Sequence, residues 1–126
     1  MEKQIKVLII EPSRLLSDLI LLALTRSGMT PILCTDTSMV RPLLIEHIPD
    51  ILLVDTLLPG INGLDLVSEL NAESYLSRTK VFILSSLGYP EIVQKAARIG
   101  AADFLVKPLD TDLLVARILR SMTKTG

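Results

Sequence analysis

Three short segments of the chain contain no polar residue: Val7-Leu8-Ile9-Ile10, Ile51-Leu52-Leu53-Val54 and Val81-Phe82-Ile83-Leu84. A strand with one wet face alternates apolar and polar side chains, so runs of this kind belong to strands covered on both faces, as in a parallel sheet layered between helices. With Ile5 and Lys6 joined to the first run, and with Thr30 to Cys34 and Asp103 to Val106 added, the chain offers five strand candidates. Stretches of helical period separate and follow them: Ser13 to Ser27, Met39 to His47, Leu64 to Ser74, Pro90 to Ile99 and Asp110 to Met122. Ser13 and Asp110 suit helix N-caps, Pro90 a first helical turn, and Gly28 and Gly100 helix stops. The pattern is (βα) taken five times. Right-handed crossovers assemble it into an open, doubly wound α/β sheet, in which ligands sit at the carboxyl ends of the strands.

Length and composition narrow the class. The 126 residues suit one domain, read over 1–126, with no room for an effector domain and a core large enough to stand without disulfides or structural metal. One cysteine, Cys34, and no basic, apolar and small-residue leader pattern point to the cytoplasm. The longest apolar run, Leu19 to Leu24, is far short of the ~20 residues a membrane-spanning helix needs. A net charge of -1, two Phe, two Tyr and no Trp leave neither basic stripe nor aromatic platform, so nucleic acid is not expected as a direct partner.

Polar residues stand directly beyond the apolar strands: Glu11 after the first, Asp55 after the third, Ser85 and Ser86 after the fourth, Lys107 after the fifth. Any one of them would serve as a cap or turn residue. Together, along one sheet edge, they bring two acids, hydroxyls and an ammonium into one pocket.

These residues carry a resemblance. The segment Asp55-Thr56-Leu57-Leu58-Pro59-Gly60-Ile61-Asn62-Gly63 after Ile-Leu-Leu-Val resembles the acceptor loop of the receiver domain of two-component response regulators. Ile83-Leu84-Ser85-Ser86, Gly100-Ala101-Ala102-Asp103-Phe104 and Phe104-Leu105-Val106-Lys107-Pro108 resemble its later landmarks, in the same order. The resemblance implies a flavodoxin-like fold with strand order 2-1-3-4-5. It makes Asp55 the phospho-acceptor, Lys107 the pairing cation and Ser85 the hydroxyl that moves onto the phosphoryl group, while Ser86 leaves room for phosphate. Phe104 matches the aromatic that turns inward as the hydroxyl moves, and it equally suits plain core. Pro59, Gly63 and Pro108 become structural landmarks, with Lys107-Pro108 expected to be cis. The implied partners are a sensor histidine kinase or phosphotransfer protein as donor, and a downstream protein or tethered effector domain as reader. The reading surface would be the fourth helix, fifth strand and fifth helix, also the place for a homodimer. Chemistry would be limited to the protein's own phosphorylation and its slow loss, so no enzyme acting on a separate substrate is implied.

One departure bears on the metal. The family carries two adjacent acids after the first strand, which hold Mg²⁺ with the acceptor aspartate and a backbone carbonyl two residues beyond it. Here the pair is Glu11-Pro12, and proline offers no carboxylate. The remaining donors are Glu11, Asp55 and the Leu57 carbonyl, which predicts weak Mg²⁺ binding or none. Two readings stand: a working phosphorylation switch, and an atypical, phosphorylation-independent receiver that binds proteins constitutively. A flavodoxin-like ligand binder lacks support, because Glu11-Pro12-Ser13 replaces the Gly-rich phosphate loop such a protein needs. Leu57 and Leu87 match positions that control the hydrolytic water, and their apolar side chains predict slow dephosphorylation. His47 has nothing at metal-ligand spacing around it. On the first helix, Leu15, Leu16, Leu19, Ile20 and Ala23 form the expected buried stripe, with Leu21, Leu22 and Leu24 widening it.

Overall fold

The computed structural model describes residues 4–123. Five parallel strands form one sheet: β1 (Lys6–Ile10), β2 (Thr30–Leu33), β3 (Ile51–Asp55), β4 (Lys80–Ser85) and β5 (Asp103–Val106), in the spatial order 2-1-3-4-5. Five α-helices connect and follow them: α1 (Arg14–Arg26), α2 (Val40–His47), α3 (Gly63–Ala72), α4 (Pro90–Arg98) and α5 (Thr111–Thr123). The fold is the doubly wound (βα)₅ arrangement that the apolar runs imply, with the flavodoxin-like strand order that the resemblance implies.

Alternation along the strands divides the core in two. Val7, Ile9, Ile51, Leu53, Phe82 and Leu84 face α1 and α5, meeting Ile20, Leu24, Leu114 and Ile118. Leu8, Ile10, Leu52, Val54, Val81 and Ile83 face the other way, onto Val40, Leu44, Leu64, Val67, Leu70 and Ala96 of α2, α3 and α4. Burial on both faces is what an unbroken apolar run requires. Phe82, fully buried in β4, is the largest of these side chains, and its removal would cost about 3–5 kcal/mol.

The helix punctuation is local chemistry. Ser13 accepts the Leu16 N–H with its hydroxyl, and Asp110 accepts from Asp112 and Leu113. Gly28 and Gly100 follow α1 and α4 at φ +79 and +91, a conformation that side chains with a Cβ avoid.

Three features differ from expectation. The buried side of α1 is centred on Ser17, Ile20 and Leu24, while Leu15 is 74% and Leu19 is 48% exposed. The cause is Ser17, whose hydroxyl bonds to the Arg14 carbonyl at 3.0 Å and so can face the core; a stripe built on hydropathy skips it. A 3₁₀ turn, Thr37–Met39, capped by Asp36, precedes α2. Finally, Leu57–Leu58 and Ile61–Asn62 pair as a two-residue antiparallel ribbon around Pro59 and Gly60.

Candidate functional site

Parallel strands end together at one edge, and the register determines what meets there. Asp55 is the last residue of β3 and pairs with Leu84, while Ser85 ends β4 and pairs with Val106. Glu11 and Lys107 each stand one residue beyond a strand. Glu11, Asp55 and Lys107 continue the rows Val7-Ile9, Ile51-Leu53 and Leu105, and the three side chains converge.

Asp55 is 3% exposed. Its Oδ1 accepts the Leu57 N–H at 2.8 Å, and its Oδ2 accepts from Lys107 Nζ, so donors hold both oxygens. The Lys107 backbone is anchored by its own N–H to the Ser85 carbonyl at 2.8 Å, and the bond to Pro108 is cis. Glu11 is buried, with Oε2 accepting the Ser13 N–H at 2.9 Å. Its Oε1 lies 2.9 Å from Lys107 Nζ but receives no aligned hydrogen bond among the described residues.

Burial and the neighbouring Asp55 carboxyl raise the Glu11 pKa, against the smaller opposing pull of Lys107. Burial works to lower the Lys107 pKa, yet Asp55 and Glu11 together outweigh it and raise the value. The pocket therefore pairs one cation with two acids, one of them reluctant to ionise.

A metal would add charge here, and the donors fit in part. The Glu11 Oε1 atom is an acceptor with no donor, and it shares Lys107 with Asp55. Pro12 contributes nothing, and no cluster of three His, Cys, Asp or Glu gathers among the described residues. Two carboxylates and a backbone carbonyl could hold Mg²⁺ only with several waters.

The hydroxyls form a second group. Ser85 is fully buried; its Oγ lies 2.7 Å from Thr56 Oγ1 and accepts the Leu87 N–H at 2.9 Å. Ser86 is exposed. Thr56 is a site residue that the strand-end reading misses, although its signal is present: a polar residue directly after Asp55, adjacent to Ser85 once β3 and β4 are neighbours.

Gly63 packs against Asp55 from beneath. Its N–H donates to the Thr56 carbonyl at 2.8 Å, and a Cβ there would meet the Asp55 carbonyl oxygen at 1.9 Å. Only glycine admits this approach of α3. Pro59 lies exposed in the ribbon turn, and Phe104, half-buried, pairs with Ile83 and packs on the α2–α4 side. Leu57 is 55% exposed at the rim and Leu87 half-buried. Beside Glu11 a cleft of roughly 160 Å³ is lined by Pro12, Cys34, Thr35, Leu58 and Pro59. Cys34 is buried, and burial pushes its thiol up, away from reactivity. His47 pairs with Glu46 at 2.9 Å, away from the pocket at the end of α2. No helix among the described residues is long and apolar enough to cross a membrane.

Comparison with known proteins places this geometry. The phosphate regulon transcriptional regulatory protein PhoB of Escherichia coli K12 is 29% identical over 119 residues, covering 94% of this chain and 52% of PhoB. Its counterpart in Rhizobium meliloti is 31% identical over 115 residues, covering 90% of this chain and 50% of that protein. The chain thus spans about half the length of the curated relatives it matches. The receiver domain of the Francisella response regulator 1452 superposes with a TM-score of 0.85 at 25% identity, over 96% of this chain and all of that one. The profile of the response regulator receiver domain matches residues 7–119, and the chain belongs to that family of two-component signalling.

Proposed function

We propose that the chain is a phosphorylation switch, with Asp55 accepting a phosphoryl group from a phosphohistidine on a sensor histidine kinase or phosphotransfer protein. The observation that carries the reading is the Asp55 carboxylate, buried at the strand edge with Lys107 bonded to its Oδ2. A carboxylate oxygen forms the new O–P bond as the N–P bond of the donor breaks, and the departing imidazole takes up a proton. Such transfers ask for alignment and charge neutralisation more than for covalent chemistry. The Leu57 N–H and the Lys107 ammonium supply alignment, and Lys107 supplies positive charge toward the arriving phosphoryl oxygens. Glu11, Asp55 and the Leu57 carbonyl would hold Mg²⁺, whose charge would offset that of the phosphoryl group when bound. With one carboxylate fewer because of Pro12, the site binds it weakly.

Ser85 then moves onto the phosphoryl group, Phe104 follows, and the surface of α4, β5 and α5 changes its population of states. That surface exposes Tyr89, Val93, Val106 and Leu113, which supports a downstream protein, a tethered effector domain or a second copy as its reader. Leu57 and Leu87 at the rim keep water from the acyl phosphate and lengthen its life. The setting is the cytoplasm, with no direct role for nucleic acid or membrane.

Pro12 favours a second reading, a receiver that binds its partner without being phosphorylated. Intact mass after incubation with acetyl phosphate, with and without Mg²⁺, separates the two. The switch gains one phosphoryl group, keeps it through a slow decay, and loses the gain in Asp55→Asn; no gain at any Mg²⁺ concentration establishes the second reading.

A further inference from the structure

Thr56 and Ser85 are both buried, and their hydroxyl oxygens lie 2.7 Å apart. They end the rows Leu52-Val54 and Val81-Ile83 on the α2–α4 side of the sheet, whereas Asp55 ends the row Ile51-Leu53 on the other side. No hydrogen bond joins Ser85 to Asp55 among the described residues; the Ser85 hydroxyl is engaged by Thr56 and by Leu87. Thr56 itself is held at both ends of its peptide. Its N–H donates to the Leu84 carbonyl at 2.9 Å, and its carbonyl accepts the Gly63 N–H at 2.8 Å. Among the described residues no second partner reaches the Thr56 hydroxyl.

From this geometry we propose that Thr56 is a latch on the Ser85 hydroxyl, a positioning residue that holds the switch in its resting arrangement and so sets how much phosphoryl binding is needed to throw it. The inference rests on the reading of Ser85 as the hydroxyl that moves to a phosphoryl group on Asp55. For Ser85 to move, the bond to Thr56 must break. The Thr56 backbone cannot follow, because β4 and α3 pin it, so its hydroxyl is left buried with no partner. An unmade bond of that kind opposes the switched state directly. A valine at the same position has nearly the same shape and no hydroxyl to abandon, so it removes the opposition without opening a cavity.

The test uses the full chain with Thr56→Val, Thr56→Ser, Ser85→Ala and the Thr56→Val/Ser85→Ala double variant. In unmodified protein, NMR couplings at Ser85 report its rotamer: a single one in wild type and Thr56→Ser, and an average of several in Thr56→Val. Titration with beryllofluoride and Mg²⁺, beryllofluoride being a phosphoryl analogue that bonds to a carboxylate, is followed at the amides of Ser86, Leu87 and α4. Half-saturation falls about tenfold in Thr56→Val, the size of one buried hydroxyl bond, and stays at the wild-type value in Thr56→Ser. In the Ser85→Ala background the Thr56→Val change has no effect. A single Ser85 rotamer in Thr56→Val, equal affinities for wild type and Thr56→Val, or a tenfold gain that persists without the Ser85 hydroxyl overturns the latch. Failure of wild type and all variants to bind the analogue defeats the acceptor reading instead, and the rotamer measurement then decides the latch alone.

Discussion

The Lys107 ammonium lies 2.9 Å from Glu11 Oε1, in a pocket where the same ammonium also bonds to Asp55. One cation is shared between two buried acids, and Glu11 holds its proton above the ordinary value of 4.5. The native state therefore binds more protons than the unfolded chain in the window between 4.5 and the raised pKa, and through that window stability falls as pH rises. Glu11→Gln keeps an acceptor for the Ser13 N–H and removes the charge. It gains about 1 kcal/mol at pH 7 and almost nothing at pH 4, read from urea unfolding at the two pH values.

Lys107 has the opposite balance. Its pKa is raised, so its contribution is complete below the ordinary 10.5 and is lost as pH climbs through the raised value. Lys107→Met leaves two buried carboxylates without a cation. With the Lys107 side chain one-fifth exposed (21%), the loss at pH 7 is about 2 kcal/mol, shrinking toward pH 4 as Glu11 takes up its proton. The same melts compare it with wild type, and phosphoryl uptake measured by mass falls at least tenfold.

Gly63→Ala places a methyl group against the Asp55 carbonyl, where backbone must yield. The variant unfolds about 2–3 kcal/mol more readily and, on the proposed function, takes up a phosphoryl group more slowly, because the strand that ends in Asp55 is pushed from its register. Unfolding midpoints together with mass-detected uptake rates check both parts. Destabilisation with an unchanged uptake rate would show that the contact only supports the fold.

Ile48 closes α2 at φ +43, a left-handed conformation that a β-branched residue adopts at a cost, and its side chain is 49% exposed. Ile48→Gly relieves the strain and forfeits little burial, so stability rises by roughly 0.5–1 kcal/mol, measured by thermal or urea unfolding.

How much of this is legible in the sequence depends on the length scale of each signal. The three central strands can be read because an apolar run announces burial on both faces, and Glu11, Asp55 and Ser85 because each terminates such a run, while Lys107 follows the mixed strand Asp103–Val106. The buried face of α1 is misread because Ser17 satisfies its hydroxyl within its own helix, which hydropathy does not register. Thr56 escapes notice because its meaning arises between strands: only the β3–β4 register sets it beside Ser85. The ribbon at Leu57–Leu58 is too short to carry a period. Gly63 can be recognised by resemblance, but the reason for it is a single close approach to Asp55.

Among the residues of α4, Ala96 alone is buried, while β3 is buried along its whole length. Ala96 and the half-buried Ile92 hold the helix next to the Ser85 strand to the core, a far smaller buried contact than that of β3. In amide hydrogen exchange α4 should open as its own low-energy unit, far faster than β3, which exchanges only when the whole molecule unfolds. On the proposed reading of α4, β5 and α5 as the partner-facing surface, an element held by so few buried side chains needs little free energy to rearrange.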